Sequence, residues 1–249
     1  MRGSHEEAIE EIRVKSSKFS DSKVKMFPDH VKVIGDGAFF SQLMQMKEGY
    51  LDGHQVHLLL LLMLKCCCQG QWFTPPEVTK DTMRHYWREN FQIHVHTNGD
   101  LAMELVLDIV EALSQEIARP DHRTTIEHAG FFTRDQAERL QRLGCLVSAQ
   151  PYYHHVLADK YSELGLGEER ASRMCPLGLL EQLGVNFALH SDFTMAPAQP
   201  LLLAWCAVNR VTLESGRQNH PELCISPFTA LRGLKSIVSS SLSLIIIST

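Results

Sequence analysis

The 249 residues predict an α/β fold built on a parallel sheet, and three observations carry that prediction. Short β-rich runs alternate with amphipathic helical runs five times in succession, the order that calls for parallel strands joined by crossovers. Glycine, proline and helix-cap residues punctuate the runs. A 44% hydrophobic and 21% charged composition at this length supports one large domain with its own core. No G-x-G-x-x-G follows the first strand and no P-loop is present, so nucleotide binding on an open sheet has no support. The alternation itself satisfies both an open doubly wound sheet and a (β/α)8 barrel, and five units are too few to close a barrel of eight.

Residues 31–34 (VKVI) form the first strand-like run, stopped by Gly35-Asp36-Gly37. Residues 91–96 (FQIHVH) form the second, stopped by Asn98-Gly99. A helix then opens with Asp100 as its expected cap, with Leu101, Leu105, Ile109, Leu113 and Ile117 recurring at helical spacing until Pro120. Residues 124–128 give a third strand. Thr133 and Gln136 make a capping-box pattern for a helix to Leu143, with Gly144 as its stop. Residues 145–150 are the fourth strand and 185–189 the fifth. Between them, 168–183 reads as a helix divided at Pro176, and 200–209 reads as a helix after the last strand.

Residues 1–29 form a polar segment that is not a secretory signal. The apolar run 58–64 is far short of the roughly 20 residues a membrane helix needs. The net charge of −5 gives no basic face for nucleic acid. Seven cysteines show neither a disulfide framework nor a C-x-x-C knuckle, and those in apolar stretches are expected as small core residues in a reducing, cytoplasmic setting. Two stretches fit no element: the leucine- and cysteine-rich insert 55–71, with Cys66, Cys67 and Cys68 in a row, and the apolar tail 233–249. Both are expected to be misread or frame-shifted sequence.

The chemistry-bearing residues share one position. His96 and His128 each end a strand, Asp192 follows the fifth, and Lys32 lies within the first. The carboxyl ends of parallel strands converge on one face, and two imidazoles with a carboxylate there are ligand types for Zn²⁺ or a similar ion. Singly, each has an ordinary alternative as a core, capping or surface residue.

The set resembles the YtcJ-like amidohydrolases (amidohydrolase family 3). His96-Thr97-Asn98-Gly99-Asp100 is similar to their fifth-strand H-x-x-G-D, and Ile126-Glu127-His128-Ala129 to their sixth-strand motif. Ser191-Asp192 with Met195-Ala196-Pro197 resembles their eighth-strand motif, and Lys32-Val33-Ile34-Gly35-Asp36-Gly37 their fourth-strand K-L-x-x-D-G. The resemblance covers residues 30–54 and 72–232. It implies a partial (β/α)8 barrel over 30–232, approximately strands four to eight, lacking the opening strands and their His-x-His pair. It also implies a small-molecule substrate and metal-dependent hydrolysis of carbon–nitrogen bonds other than peptide bonds. Lys32, carboxylated, His96, His128 and Asp192 would be metal ligands and Asp192 the general base. Zinc is the implied metal, at most one ion on these residues. Unpaired sheet edges make a homo-oligomer an expectation, with weak activity or a catalytically silent partner role as the two outcomes. His94 is expected one residue off the metal side in a structural or supporting role, and His154, His155 and His190 on or near the metal face, as substrate-loop or surface residues.

Overall fold

The computed structural model describes residues 4–19, 23, 27–51 and 69–241. Cys66, Cys67, Cys68, most of the 55–71 insert and the last eight residues of the tail lie outside them. The five expected strands form one parallel sheet in sequence order. They are β1 (His30–Ile34), β2 (Gln92–Thr97), β3 (Thr125–His128), β4 (Leu146–Ala149) and β5 (Phe187–Leu189). Helices lie between them: α2 (Pro76–Arg88) before β2, α3 (Asp100–Glu116) before β3 and α4 (Arg134–Leu143) before β4. Three more, α5 (Tyr152–Glu163), α6 (Glu168–Ser172) and α7 (Leu177–Leu183), separate β4 from β5; α8 (Pro200–Asn209) and α9 (Pro227–Ser241) follow.

The break between α6 and α7 falls at Pro176, as the sequence predicts, because a proline inside the run removes a backbone donor. The Thr133–Gln136 capping box forms, and Gly144 closes α4 at φ 71°. Asp100, by contrast, does not cap α3. Gly99 holds that position, and the Asp100 carboxylate instead accepts the Lys47 backbone N–H at 2.8 Å. The polar leader is also structured, as α1 (His5–Ser17), opened by a Ser4–Glu7 capping box. This helix buries Ile9, stacks His5 on His85 at 5.0 Å, and pairs Arg13 with Glu89, which docks it on α2.

Strand alternation divides the sheet into two unlike faces. Val33, Ile93, Val95, Ile126, Val147 and Phe187 point toward the helices and join one continuous apolar core. Lys32, His94, Glu127 and Ser148 lie on the opposite face, brought level by the parallel register. A second, smaller core centres on Phe39, Met44, Tyr153, Tyr161 and Met174. There Phe39 stacks on Tyr153 at 4.1 Å and closes the loops beyond the strand ends. Cys145, Cys175 and Cys206 are buried free thiols, the small core residues expected of them. Among the described residues no helix is long and apolar enough to cross a membrane.

Candidate metal centre at the strand ends

His96 reaches the polar face by ordinary alternation, two residues beyond His94 on β2. His128 reaches it differently. The alternation of β3 would send it to the helix side with Ile126, but its backbone turns into the left-handed region at φ 74°, followed by Ala129 at φ 49°. Side chains rarely adopt that region, and the strain costs on the order of 1–2 kcal/mol per residue. The turn swings His128 back across the strand end, so that its ring centroid lies 4.5 Å from that of His96. Asp192 also sits in the left-handed region, at φ 48°.

His128 is buried and His96 half-buried, and the pair is electrically one-sided. Burial, with His190, His96 and Lys32 nearby, pushes His128 down to about 2, so it is a neutral imidazole at physiological pH. Burial and the Lys32 ammonium lower His96 as well, while the Gly37 carbonyl, Asp192 and Glu127 pull the other way. Nδ1 of His128 is buried with no hydrogen-bond partner. A neutral ring with an uncommitted nitrogen is what ligation of a divalent ion requires. Nε2 of His96 lies 3.0 Å from the Asn98 amide nitrogen and accepts from it, which leaves the proton of the neutral ring on Nδ1.

The structure brings His96 and His128 together and places Lys32 and Asp192 within electrostatic reach of them. It does not close the four into a coordination set: among the described residues, no three His, Cys, Asp or Glu side chains are grouped to hold a metal ion. The donors fit a divalent ion in kind and fall short of one in number. Lys32 is exposed.

Of the neighbouring histidines, His94 and His154 differ from expectation, while His190 lies near the metal face as expected. His94 shares the face of His96 and lies one layer deeper, rather than one residue off it. Its Nδ1 is 2.6 Å from Glu127 Oε1, and its Nε2 is 3.1 Å from the Gln92 amide nitrogen. Glu127 is held below the usual carboxylate range: burial raises it, but the His94 bond, His190 and Ser148 outweigh that. His190 belongs to the cluster, its ring 5.0 Å from His128 and its Nε2 3.1 Å from the Ser148 carbonyl oxygen. His154 is buried, 2% exposed, rather than on a surface loop. His155 is part-buried, with Nδ1 2.7 Å from the Val211 carbonyl oxygen and its ring edge-on to Trp205. Tyr153 hydrogen-bonds Asp192 through its hydroxyl, and burial keeps that hydroxyl protonated. The available signal for His190 was its position two residues ahead of Asp192 on the same strand exit. Tyr153 arrives from the first turn of α5.

Over 212 residues the chain is 27% identical to "Putative amidohydrolase YtcJ" of Bacillus subtilis (strain 168), a match covering 81% of this chain and 36% of that one. Over 127 residues it is 33% identical to the protein LONG AFTER FAR-RED 3 of Arabidopsis thaliana, covering 50% of this chain and 21% of the relative. Its fold matches that of an uncharacterized metal-dependent hydrolase from Pyrococcus furiosus with a TM-score of 0.69 at 22% identity, over 94% of this chain and 45% of that one. A second such hydrolase, from Pyrococcus horikoshii OT3, matches with a TM-score of 0.69 at 20% identity, covering 93% and 45%. The chain therefore spans less than half the length of each of these proteins. A model of the amidohydrolase family matches residues 5–234, and the chain belongs to that family.

Proposed function

We propose that this chain carries the strand-four-to-eight portion of an amidohydrolase-type (β/α)8 barrel, and that its strand-end cluster serves hydrolysis of non-peptide carbon–nitrogen bonds such as amides or N-formyl compounds. The observation that supports this most is the His96–His128 pair, two neutral imidazoles 4.5 Å apart at neighbouring strand ends, one of them turned there by a left-handed backbone. A divalent ion, zinc in this proposal, would activate water and polarise the scissile carbonyl. His96, His128 and Lys32 would hold it, with Lys32 carboxylated to supply an anionic oxygen. Asp192, oriented by the Tyr153 hydroxyl, would take the proton from the attacking water and return it to the leaving amine. Buried free thiols support a reducing, cytoplasmic setting.

A second reading has one observation in its favour, the absence of a three-member metal-holding group among the described residues. On that reading the chain is a catalytically silent partner subunit. A screen of amides, ureas, N-formyl compounds and esters with zinc-loaded protein separates the two. Turnover lost in His128→Ala supports the hydrolase. No turnover with any class, by protein that is folded and zinc-loaded, favours the silent subunit.

A further inference from the structure

Asp36 lies just beyond β1 with none of its surface exposed. Its carboxylate gathers backbone donors from two distant segments. The Asn98 N–H reaches Oδ1 at 2.9 Å, while those of Gly99 and Gln45 reach Oδ2 at 2.8 and 3.0 Å. Burial pushes Asp36 up to about 7 against these donors, so a carboxyl here is expensive to keep. The knot around it is tight. A Cβ on Gly99 would stand 1.9 Å from the Gln45 carbonyl oxygen, and one on Gly37 would stand 2.2 Å from the Leu43 Cβ.

What the knot holds is Asn98. This side chain is wholly buried, and its Nδ2 donates to the Gly37 carbonyl oxygen at 3.1 Å. That bond fixes which way the amide faces, and so its second contact is settled: Nδ2 also lies 3.0 Å from Nε2 of His96. The chain of contacts runs from the Asp36 carboxylate to the Asn98 and Gly99 backbone, and from the Asn98 amide to one ring nitrogen of His96.

We infer that Asp36 is a positioning residue that acts through Asn98 to fix the orientation and tautomer of the His96 ring. This role in orienting the ring stands apart from the metal-centre reading above. An Asp36→Asn exchange keeps the volume but loses an acceptor. An amide whose oxygen stays with Gly99 and Gln45 turns its NH2 against the Asn98 N–H, and the repulsion falls on the residue that holds His96.

The test is the ring itself. With ¹⁵N-histidine in the full chain and no added metal, long-range ¹H–¹⁵N spectra of the native protein give widely separated Nδ1 and Nε2 shifts for His96. Asp36→Asn and Asn98→Ala both bring those shifts together as tautomers interconvert. His122 serves as the internal control, since its two ring nitrogens lie 2.8 Å from Thr124 Oγ1 and 2.8 Å from the Leu143 carbonyl oxygen. An Asp36→Asn protein with native His122 and native His96 shifts overturns the inference. Where Asp36→Asn does not fold, Asn98→Ala decides, because it leaves the backbone bonds to Asp36 in place; native His96 shifts there break the route. If the native chain takes up no zinc, the metal-centre reading falls and the ring shifts still decide the role of Asp36.

Discussion

The two faces of the sheet are written by the same five strands and do opposite work. On the helix side, alternate residues are Val, Ile and Phe, buried to within a few per cent and merged into the main core. On the other side, the residues one position over are Lys32, Gln92, His94, His96, Glu127 and Ser148, tied by hydrogen bonds and charge. A period of two lets one strand stabilise the fold and present chemistry at once. His128 is the exception that joins the faces, since it belongs to the helix side by count and to the chemical side by its left-handed turn.

The comparison breaks most sharply on matched truncations. Ile93, with no exposed surface on the helix side, is expected to cost about 2–5 kcal/mol when changed to Ala. Ile34, 41% exposed on the polar face, should cost under about 1 kcal/mol. Urea unfolding of the two variants measures this, and equal losses would erase the distinction between the faces.

Acid sharpens it next. His128 stays neutral down to about 2 and His154 to about 3 in the folded protein, whereas both protonate near 6.5 once unfolded. The unfolded state therefore binds more protons below pH 6.5, and stability that is complete above that value drains away as pH falls. Each histidine contributes up to about 1.4 kcal/mol per pH unit. Replacing His154 with Gln should flatten the slope of unfolding free energy between pH 6.5 and 5; an unchanged slope would show that its burial is not what makes the fold acid-labile.

A smaller effect is expected at the His94–Glu127 pair, 11% and 14% exposed. Glu127→Gln keeps the shape and a hydrogen bond while removing the charge that His94 faces. A loss of about 1.5–3 kcal/mol is expected, the range for hydrogen bonds to charged groups. A thermal shift near zero would mark the pair as incidental to the polar face.

What sequence could reveal follows from the same division. The strands were legible because their apolar runs are uninterrupted on the core side, α3 because Leu and Ile recur on one stripe, and α4 because a capping box opens it and Gly144 closes it. The candidate ligands were legible because they lie at strand ends, where a linear rule suffices. α5 escaped notice because its YYHHV opening buries a histidine as readily as a leucine, which blurs the apolar stripe; His154 is 2% exposed. α1 is polar along most of its length, and Ile9 is its buried residue, so periodicity carried no signal. The turn at His128 lies within one φ angle, while the shift of the α3 cap from Asp100 to Gly99 and the Asp36–Asn98 contact depend on carboxylates meeting backbone N–H groups 53 and 62 residues away, and no residue pattern encodes them directly.

The most direct test of the central claim is zinc stoichiometry in the dialysed native chain beside His96→Ala and His128→Ala, with folding of each verified by circular dichroism. The account predicts up to one tightly held zinc per native chain and none in either folded variant. Zinc retained undiminished by both variants, or a folded native chain that never takes it up, would contradict the assignment of His96 and His128 as the core of the metal centre.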